Sequence, residues 1–339
     1  MRADKRPDAP DILTQMISLV ATVYNEADGI GAWLDGLAAQ SLAPDEIVIT
    51  DGGSTDGTAE ILHDACARIP SLRVFPGPGN ISKGRNAAIA HAKGDIIVVT
   101  DAGCSHDPDW LREIVRPIVA GSAVASATAF APRLSPADPL IVRCIASATA
   151  PASGEFVGRD WLPSSRSVAF LKSAWERVGG YPEWIPICED IIFDLKILKT
   201  GISFALVRRP LVFWQPRQTV AKFMRQVFMY TRSDGHGKLW LGRQLIRYGV
   251  YFGALAVCAY AVPSGDMRVL LVLAVLGCLY IVKFVRRFME FSRDLSLVRR
   301  ALGILLIPLV VFLGDLAKMA GWPLGVYERL TGKISYEPY

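Results

Sequence analysis

No two of the six cysteines (Cys66, Cys104, Cys144, Cys188, Cys258 and Cys278) stand in a C-x-x-C spacing. Neither a zinc site nor a disulfide framework is indicated, so a reducing compartment fits the chain best. Histidine is scarce, at four in 339 residues, and only His106 stands beside other candidate ligands. Met1–Gln15 is polar and charged and lacks the apolar core of a signal peptide. The net charge of +5 is not laid out as a basic face interleaved with aromatics, so no nucleic-acid partner is expected. What the chain has in excess is apolar residues, 51% of the total, and they are unevenly spread.

That unevenness divides the sequence. A polar tail (1–15) precedes an alternation of apolar strands and charged helices over 16–220. Residues 221–244 mix apolar and basic side chains, as an interfacial amphipathic linker does. Residues 245–325 read as a membrane domain with about three apolar helices, near 247–262, 268–285 and 301–322, and 326–339 form a second tail. Basic residues flank these segments: Arg225, Arg232, Lys238, Arg243 and Arg247 before the first, Lys283, Arg286, Arg287, Arg293, Arg299 and Arg300 between the later two. The positive-inside rule then puts residues 1–240 in the cytoplasm, the Pro263–Asp266 turn outside and the Arg286–Arg300 loop back inside. The third segment, which contains Pro308, Asp315 and Lys318, either exits or lies partly in the interface.

In the first part, strands are expected at Met16–Val23, Asp45–Thr50, Leu72–Phe75 and Asp95–Thr100, with helices at Ile30–Gln40, Thr58–Ile69, Lys83–Lys93 and Pro108–Ala120. This alternation predicts an α/β fold with a doubly wound, mostly parallel sheet. From Val124 to Ser167 the pattern weakens. Cys188–Thr200 reads as a helix with Ile192, Leu195 and Leu198 as its apolar stripe.

The segment Ile47-Val-Ile-Thr-Asp51-Gly-Gly-Ser-Thr-Asp56-Gly-Thr58 places acid, glycine and hydroxyl residues directly after a β-branched run. In open α/β sheets that strand end is where ligands bind, and Ser54, Thr55 or Asp56 can cap the helix starting near Thr58. Glu26, Asp51, Asp101 and the pair Glu189-Asp190 all fall in loops after strands or at a helix start. Acids spaced along one sheet edge can hold a base, a ribose and a metal-bound diphosphate.

These motifs resemble the family 2 glycosyltransferases of the GT-A fold. Val23-Tyr-Asn-Glu26 is similar to the family's first-strand signature and Asp51-Gly-Gly-Ser-Thr-Asp-Gly-Thr58 to its second. Asn80-Ile-Ser-Lys-Gly-Arg-Asn86 with Ala92-Lys-Gly-Asp-Ile-Ile-Val-Val-Thr-Asp101 resembles the run into its D-x-D motif, and Ile187-Cys-Glu-Asp190 its acceptor-side E-D motif. The resemblance covers roughly residues 16–235. It implies a GT-A (Rossmann-like) catalytic domain followed by C-terminal transmembrane helices, at a bacterial inner membrane and with the catalytic domain cytoplasmic. It also implies an inverting transfer from a nucleotide-sugar donor to a lipid-linked or membrane-proximal glycan acceptor. Tyr24, Glu26 and Asp51 would line base and ribose, with Asp56 serving as a cap. Lys83 and Arg85 would face the diphosphate. Asp190 would be the general base, with Glu189 as runner-up.

The chain departs from the family at the diphosphate. The D-x-D acids that hold Mg2+ or Mn2+ are replaced by Asp101-Ala-Gly103, without the second acid. The expectation is a retained but weaker metal dependence, with Asp101 as ligand and His106 or Asp107 as substitutes. Phe223–Arg232 matches the family's interfacial helix in kind only at Arg225, Gln226 and Arg232, the acceptor-side candidates. It lacks the Q-x-x-R-W signature of processive polysaccharide synthases. Trp161 and Trp184 could stack on a sugar or pack in the core. Two other readings compete. A nucleotidyltransferase needs a glycine-rich basic loop after the first strand, where Tyr24–Asp28 is acidic. A nucleotide-binding membrane protein without catalysis would leave Glu189-Asp190 purposeless.

Overall fold

The computed structural model describes residues 15–77, 79–155 and 161–339. The polar N-terminal tail therefore lies outside the described residues except for Gln15. The chain divides into two compact units: one takes the remaining described chain up to Trp214 together with Tyr339, the other Pro132–Glu155 and Gln215–Pro338.

The first unit starts with alternating β-branched strands and amphipathic helices. In chain order they are β1 (Ile17–Val23), α1 (Ala27–Ala38), β2 (Glu46–Asp51), α2 (Thr58–Arg68), β3 (Leu72–Pro76), α3 (Ile81–His91) and β4 (Ile96–Val99). β3, β2, β1 and β4 pair in parallel, with Val20 opposite both Val48 and Val99. The mainly apolar β1, β2 and β4 are buried nearly throughout, as suits strands covered on both faces, whereas β3 at the sheet edge is only partly buried. After β4 come β5 (Cys104–His106), α4 (Trp110–Val119), β6 (Ala125–Pro132), and in the other unit α5 (Leu140–Thr149). β7 (Val168–Leu171), α6 (Lys172–Arg177), α7 (Glu189–Lys199) and β8 (Phe204–Trp214) complete the unit. The eight-stranded sheet runs β3-β2-β1-β4-β7-β6-β8-β5. Beyond β4 the pairings of β7 with β4, β6 with β7 and β5 with β8 are antiparallel, so the sheet is mixed.

Three local outcomes differ from the sequence pattern. β5 and α5 form in stretches where no element was expected. The buried stripe of α7 is Ile192, Phe193 and Ile197, not Ile192, Leu195 and Leu198. It packs with Phe170, Tyr181 and the α3 residues Ala88 and Ile89 on the sheet.

The second unit is helical. α8 (Val220–His236) precedes α9 (Leu241–Ser264), α10 (Met267–Phe291) and α11 (Leu297–Leu330). The last three are long and apolar enough to cross a membrane. α9 continues through Pro263, and the turn closes at Gly265, whose φ of 68° suits glycine. α5 and α8 pack on α10 and α11 around Phe223, Phe288, Ile307 and Val310.

Candidate active site

The loops after β1 and β2 are laced to each other. The Asn25 amide donates to Ser54 Oγ (2.9 Å), and Asn25 Oδ1 accepts from the Thr55 amide (2.9 Å). The Glu26 amide donates to Thr58 Oγ1 (2.8 Å). This crossing needs left-handed backbone at Gly53, Gly57 and Asn25, conformations that glycine and asparagine tolerate. Asp56 accepts from the Thr58 amide at the start of α2 and from the Ala27 amide at the start of α1. Its acid thus serves two helix N-termini. Asp51 is oriented by Ser54, whose hydroxyl donates to Oδ1 at 2.6 Å. Beside it Tyr24, 60% exposed, presents an uncovered ring. Burial, with Asp101 and Asp56 as like-charged neighbours, holds the Glu26 carboxyl above its usual range.

The centre of the site is Arg85. Gly84 lets α3 settle onto the sheet: a Cβ there would collide with Thr22 Oγ1, and Thr50 Oγ1 donates to the Gly84 carbonyl at 2.8 Å. Asn80 caps the helix by accepting from the Ser82 amide. The next side chain, Arg85, is thereby buried. It donates to Glu189 Oε1 (2.9 Å) and Asp101 Oδ1 (3.2 Å), and its guanidinium lies 4.9 Å from the Tyr181 ring centroid. Removing one partner of such a pair strands a buried charge, at a cost of roughly 3–5 kcal/mol.

Glu189 and Asp190 open α7. Burial and the neighbouring Asp190 push the Glu189 carboxyl up, against the pull of Arg85. Asp190 is only partly buried; its Oδ1 accepts from the Ile191 amide at 2.9 Å, and Ser164 Oγ and the Ser165 amide each stand 3.5 Å from Oδ2. Cys188, just before the pair, has a φ of 65°. A non-glycine residue held there costs of order 1–3 kcal/mol and marks a constrained position.

Asp101 is partly exposed beyond the end of β4, where the Cys104 amide donates to its carbonyl (3.1 Å). The two substitute ligands are otherwise engaged. His106 Nε2 lies 2.7 Å from Thr100 Oγ1, its ring sits 4.2 Å from that of Trp110, and burial pushes its pKa down to about 3. Asp107 Oδ2 accepts from Arg209 (2.6 Å), and Oδ1 from the Asp109 amide. Burial pushes the Cys104 thiol up to about 12, with Asp101 adding to it, so it stays protonated. Among the described residues no three His, Cys, Asp or Glu side chains cluster as a metal site. Magnesium-like ions need only one or two carboxylates when substrate phosphates supply the other oxygens. The donor set fits such an ion through Asp101, with Arg85 sharing one of its oxygens.

Lys83 and Arg85 do not meet. Lys83 is exposed in a groove with Asn86, Trp175 and Glu183, whereas Arg85 points to the acids. Trp161 packs against the core, and Trp184 is half-buried. In the second unit, Gln226 donates to the Tyr230 hydroxyl (3.0 Å) and Arg232 makes a two-pronged pair with Glu328 at 2.6 and 2.7 Å. Arg225 lines a groove with Met224, Phe228, Leu316, Ala317 and Ala320.

The model of glycosyl transferase family 2 matches residues 18–138, and that of glycosyl transferase family 21 matches residues 80–329, well over half the chain. The chain is a glycosyltransferase of this group. The glycosyltransferase is 27% identical over 240 residues to the succinoglycan biosynthesis protein ExoA of Rhizobium meliloti (strain 1021), covering 66% of this chain and 70% of ExoA. It is 36% identical over 108 residues to the undecaprenyl-phosphate 4-deoxy-4-formamido-L-arabinose transferase of Edwardsiella ictaluri (strain 93-146). That match covers 30% of this chain and spans only 33% of the relative. The mannosyltransferase PcManGT from Pyrobaculum calidifontis, solved in complex with GDP-Man and Mn2+, superposes with a TM-score of 0.53 at 19% identity. It covers 98% of this chain and 92% of its own, and confirms the GT-A fold.

Two further residues, marked by no motif, stand at the candidate site. Asp194 is buried with its Oδ2 unpaired, and burial, with Asp190 adding to it, pushes its carboxyl well above the usual range. Its spacing of four from Asp190 sets it one helical turn on along the same face, a signal that could have found it. Arg166, among serines at the start of β7, lies over the Phe130 and Trp214 rings and donates to Ser164 Oγ at 3.3 Å. No local pattern marked it.

Proposed function

We propose that this glycosyltransferase is a membrane-bound, inverting enzyme. It moves one sugar from a nucleotide-sugar donor to a lipid-linked or membrane-proximal glycan acceptor at the cytoplasmic face of a bacterial inner membrane. The observation that carries this reading is the acid pair at the start of α7, with Glu189 fixed on Arg85 and Asp190 left on the more open side. The two bacterial relatives, in succinoglycan biosynthesis and in transfer to undecaprenyl phosphate, support the acceptor class, and the basic flanks of α9 and α10 support the orientation.

Tyr24 and Asp51 line the base and ribose, with Glu26 next to them. Asp190 accepts the proton of the acceptor hydroxyl as that oxygen attacks the anomeric carbon. The bond from that carbon to the diphosphate oxygen breaks as the new one forms, and the nucleoside diphosphate departs with the electron pair. Attack from the face opposite the leaving group inverts the anomeric centre. Arg85 holds Glu189 and Asp101 in place and supplies positive charge beside the departing phosphates. Asp101 would hold a divalent cation, Mg2+ or Mn2+, which when bound neutralises diphosphate charge. Lys83 is assigned to the diphosphate, and Arg225, Gln226 and Arg232 to binding the acceptor.

Asp190→Asn is the direct test. Transfer should fall by at least about a thousandfold, as loss of a general base does, while nucleotide affinity stays within about twofold. Turnover equal to the unmodified enzyme would exclude Asp190 as the base. A donor panel on purified enzyme that yields neither transfer nor hydrolysis, with nucleotide still bound, would count against the reaction itself.

A further inference from the structure

α9 and α10 form a hairpin, so the start of α9 and the end of α10 lie on one side of the membrane they are read as crossing. If α11 crossed again, the C-terminal tail would emerge on the other side, beyond a hydrocarbon core of ~30 Å. It does not. Tyr336, in the tail, has Lys238 Nζ 4.3 Å from its ring centroid, and Lys238 stands just before the first residue of α9.

The contacts along α11 agree. The Phe288 ring, in the last turn of α10, sits on Gly303, where a Cβ would overlap it. The Tyr248 hydroxyl, within the first three turns of α9, donates to the Met319 carbonyl at 2.6 Å. Gly303 and Met319 are ~24 Å apart along α11, yet both meet the hairpin within roughly 12 Å of its base. A helix aligned with the hairpin would carry one of those points ~24 Å deeper.

The second half of α11 is sheathed by α8, which runs in the same direction. Gly314 meets Phe223, Gly321 meets Phe228, Gly325 meets Arg232, and Glu328 pairs with Arg232 and His236. α8 carries Lys222, Arg225, Arg232 and Asp234, and charged side chains cost ~2.5–3.5 kcal/mol each at a bilayer centre. The opposite face of α11 presents Leu302, Leu305, Leu309, Phe312 and Leu316, all exposed.

We infer that α11 is not a third span but an in-plane helix that beds this leucine-rich face in the headgroup–acyl boundary of the leaflet at the hairpin's base. The chain then crosses the membrane twice, and its C-terminal tail lies on the same side as α8. The occupant of the exposed face is the bilayer, because the face is continuous with the hairpin and is bracketed by Arg299 and Arg300 at one end and Arg329 and Lys333 at the other. Asp315 and Lys318, paired at 3.0 Å and held by Arg247, Tyr251 and Tyr280, then sit near the interface, not at mid-membrane. This inference rests on the membrane reading of α9 and α10.

The test uses the full chain in sealed vesicles of one orientation, a membrane-impermeant maleimide, and the unmodified chain as blank. Three variants each add one thiol: Glu337→Cys in the tail, Lys222→Cys on α8 and Ser264→Cys at the hairpin turn. Glu337→Cys and Lys222→Cys should label from the same side, and Ser264→Cys only from the other. Glu337→Cys labelling with Ser264→Cys overturns the in-plane helix while leaving the hairpin intact. All three labelling from one side overturns the hairpin, and the in-plane helix with it. A second readout does not depend on sidedness: fluorophores on Leu302→Cys, Leu309→Cys and Leu316→Cys should be quenched alike by shallow brominated lipid. Severalfold deeper quenching at Leu309→Cys than at the other two would mark a span and overturn the proposal.

Discussion

At Gly103 a side chain would stand in open space, because a Cβ there meets nothing within 4 Å. It is the position where the D-x-D motif of the resembled family carries its second acid, and no neighbour excludes a side chain there. Gly103→Asp should therefore fold normally and restore a second carboxylate beside Asp101. Metal titration after chelation should show the unmodified enzyme losing most activity and regaining it with Mg2+ or Mn2+. The variant should need roughly tenfold less metal, since affinity follows the number of charged ligands. Unchanged metal demand, or full activity after rigorous chelation, would mean that Arg85 and its neighbours carry the diphosphate charge without a cation. His106, the rival ligand, matters for stability instead. Its pKa is about 3 in the fold against ~6.5 in the unfolded chain. The unfolded state binds more protons between those values, so His106 lowers stability progressively as pH falls from about 6.5 toward 3, and has no such effect above that window. His106→Gln keeps a polar partner for Thr100 and removes the titration. Melting temperatures in detergent from pH 7 to pH 4 should fall less steeply for the variant.

Between α8 and α11 the glycines decide whether the elements meet at all. A Cβ on Gly325 would overlap the Arg232 carbonyl, a backbone group that cannot swing aside. Gly325→Ala should cost about 1–3 kcal/mol by overpacking. Gly277→Ala in α10, where nothing lies within 4 Å, should be neutral or slightly stabilising, since alanine is the better helix former. Thermal unfolding of the two variants in one detergent checks the contrast, and equal shifts would remove the close crossing. The same glycines show what the sequence hid. Gly321-x-x-x-Gly325 lies inside an apolar run, and hydropathy alone cannot separate a lipid-facing helix from one pressed against a polar neighbour. The parallel strands β1, β2 and β4 were legible because strands buried on both faces are mainly apolar and β-branched. β5 was not, since Cys104-Ser-His106 has no strand pattern and exists only by pairing with β8. The Glu189-Asp190 pair stands out by its motif, whereas Asp194 is hidden within a helix whose buried stripe runs through Phe193 and Ile197 and not through Leu195 and Leu198.

Across the whole molecule, apolar surface and positive charge are sorted together. The large exposed apolar side chains from Leu241 to Leu330 are Leu, Val, Ile, Phe, Met and Tyr, and apart from Lys318, which is paired with Asp315, the arginines and lysines lie toward the helix ends. Two mechanisms could hold such a chain at a bilayer. Basic flanks attract anionic headgroups, an effect screened within ~3 Å at 1 M salt. Apolar helices in hydrocarbon are indifferent to salt, because their free energy scales with the area removed from water. With two helices of 24 and 25 residues in the hairpin, each longer than the ~20 needed to span, the second mechanism dominates. The chain should therefore stay in the membrane pellet through both 1 M salt and alkaline carbonate and leave it only with detergent. Release by salt alone would reduce α9 and α10 to a surface-bound hairpin and make the basic flanks the anchor.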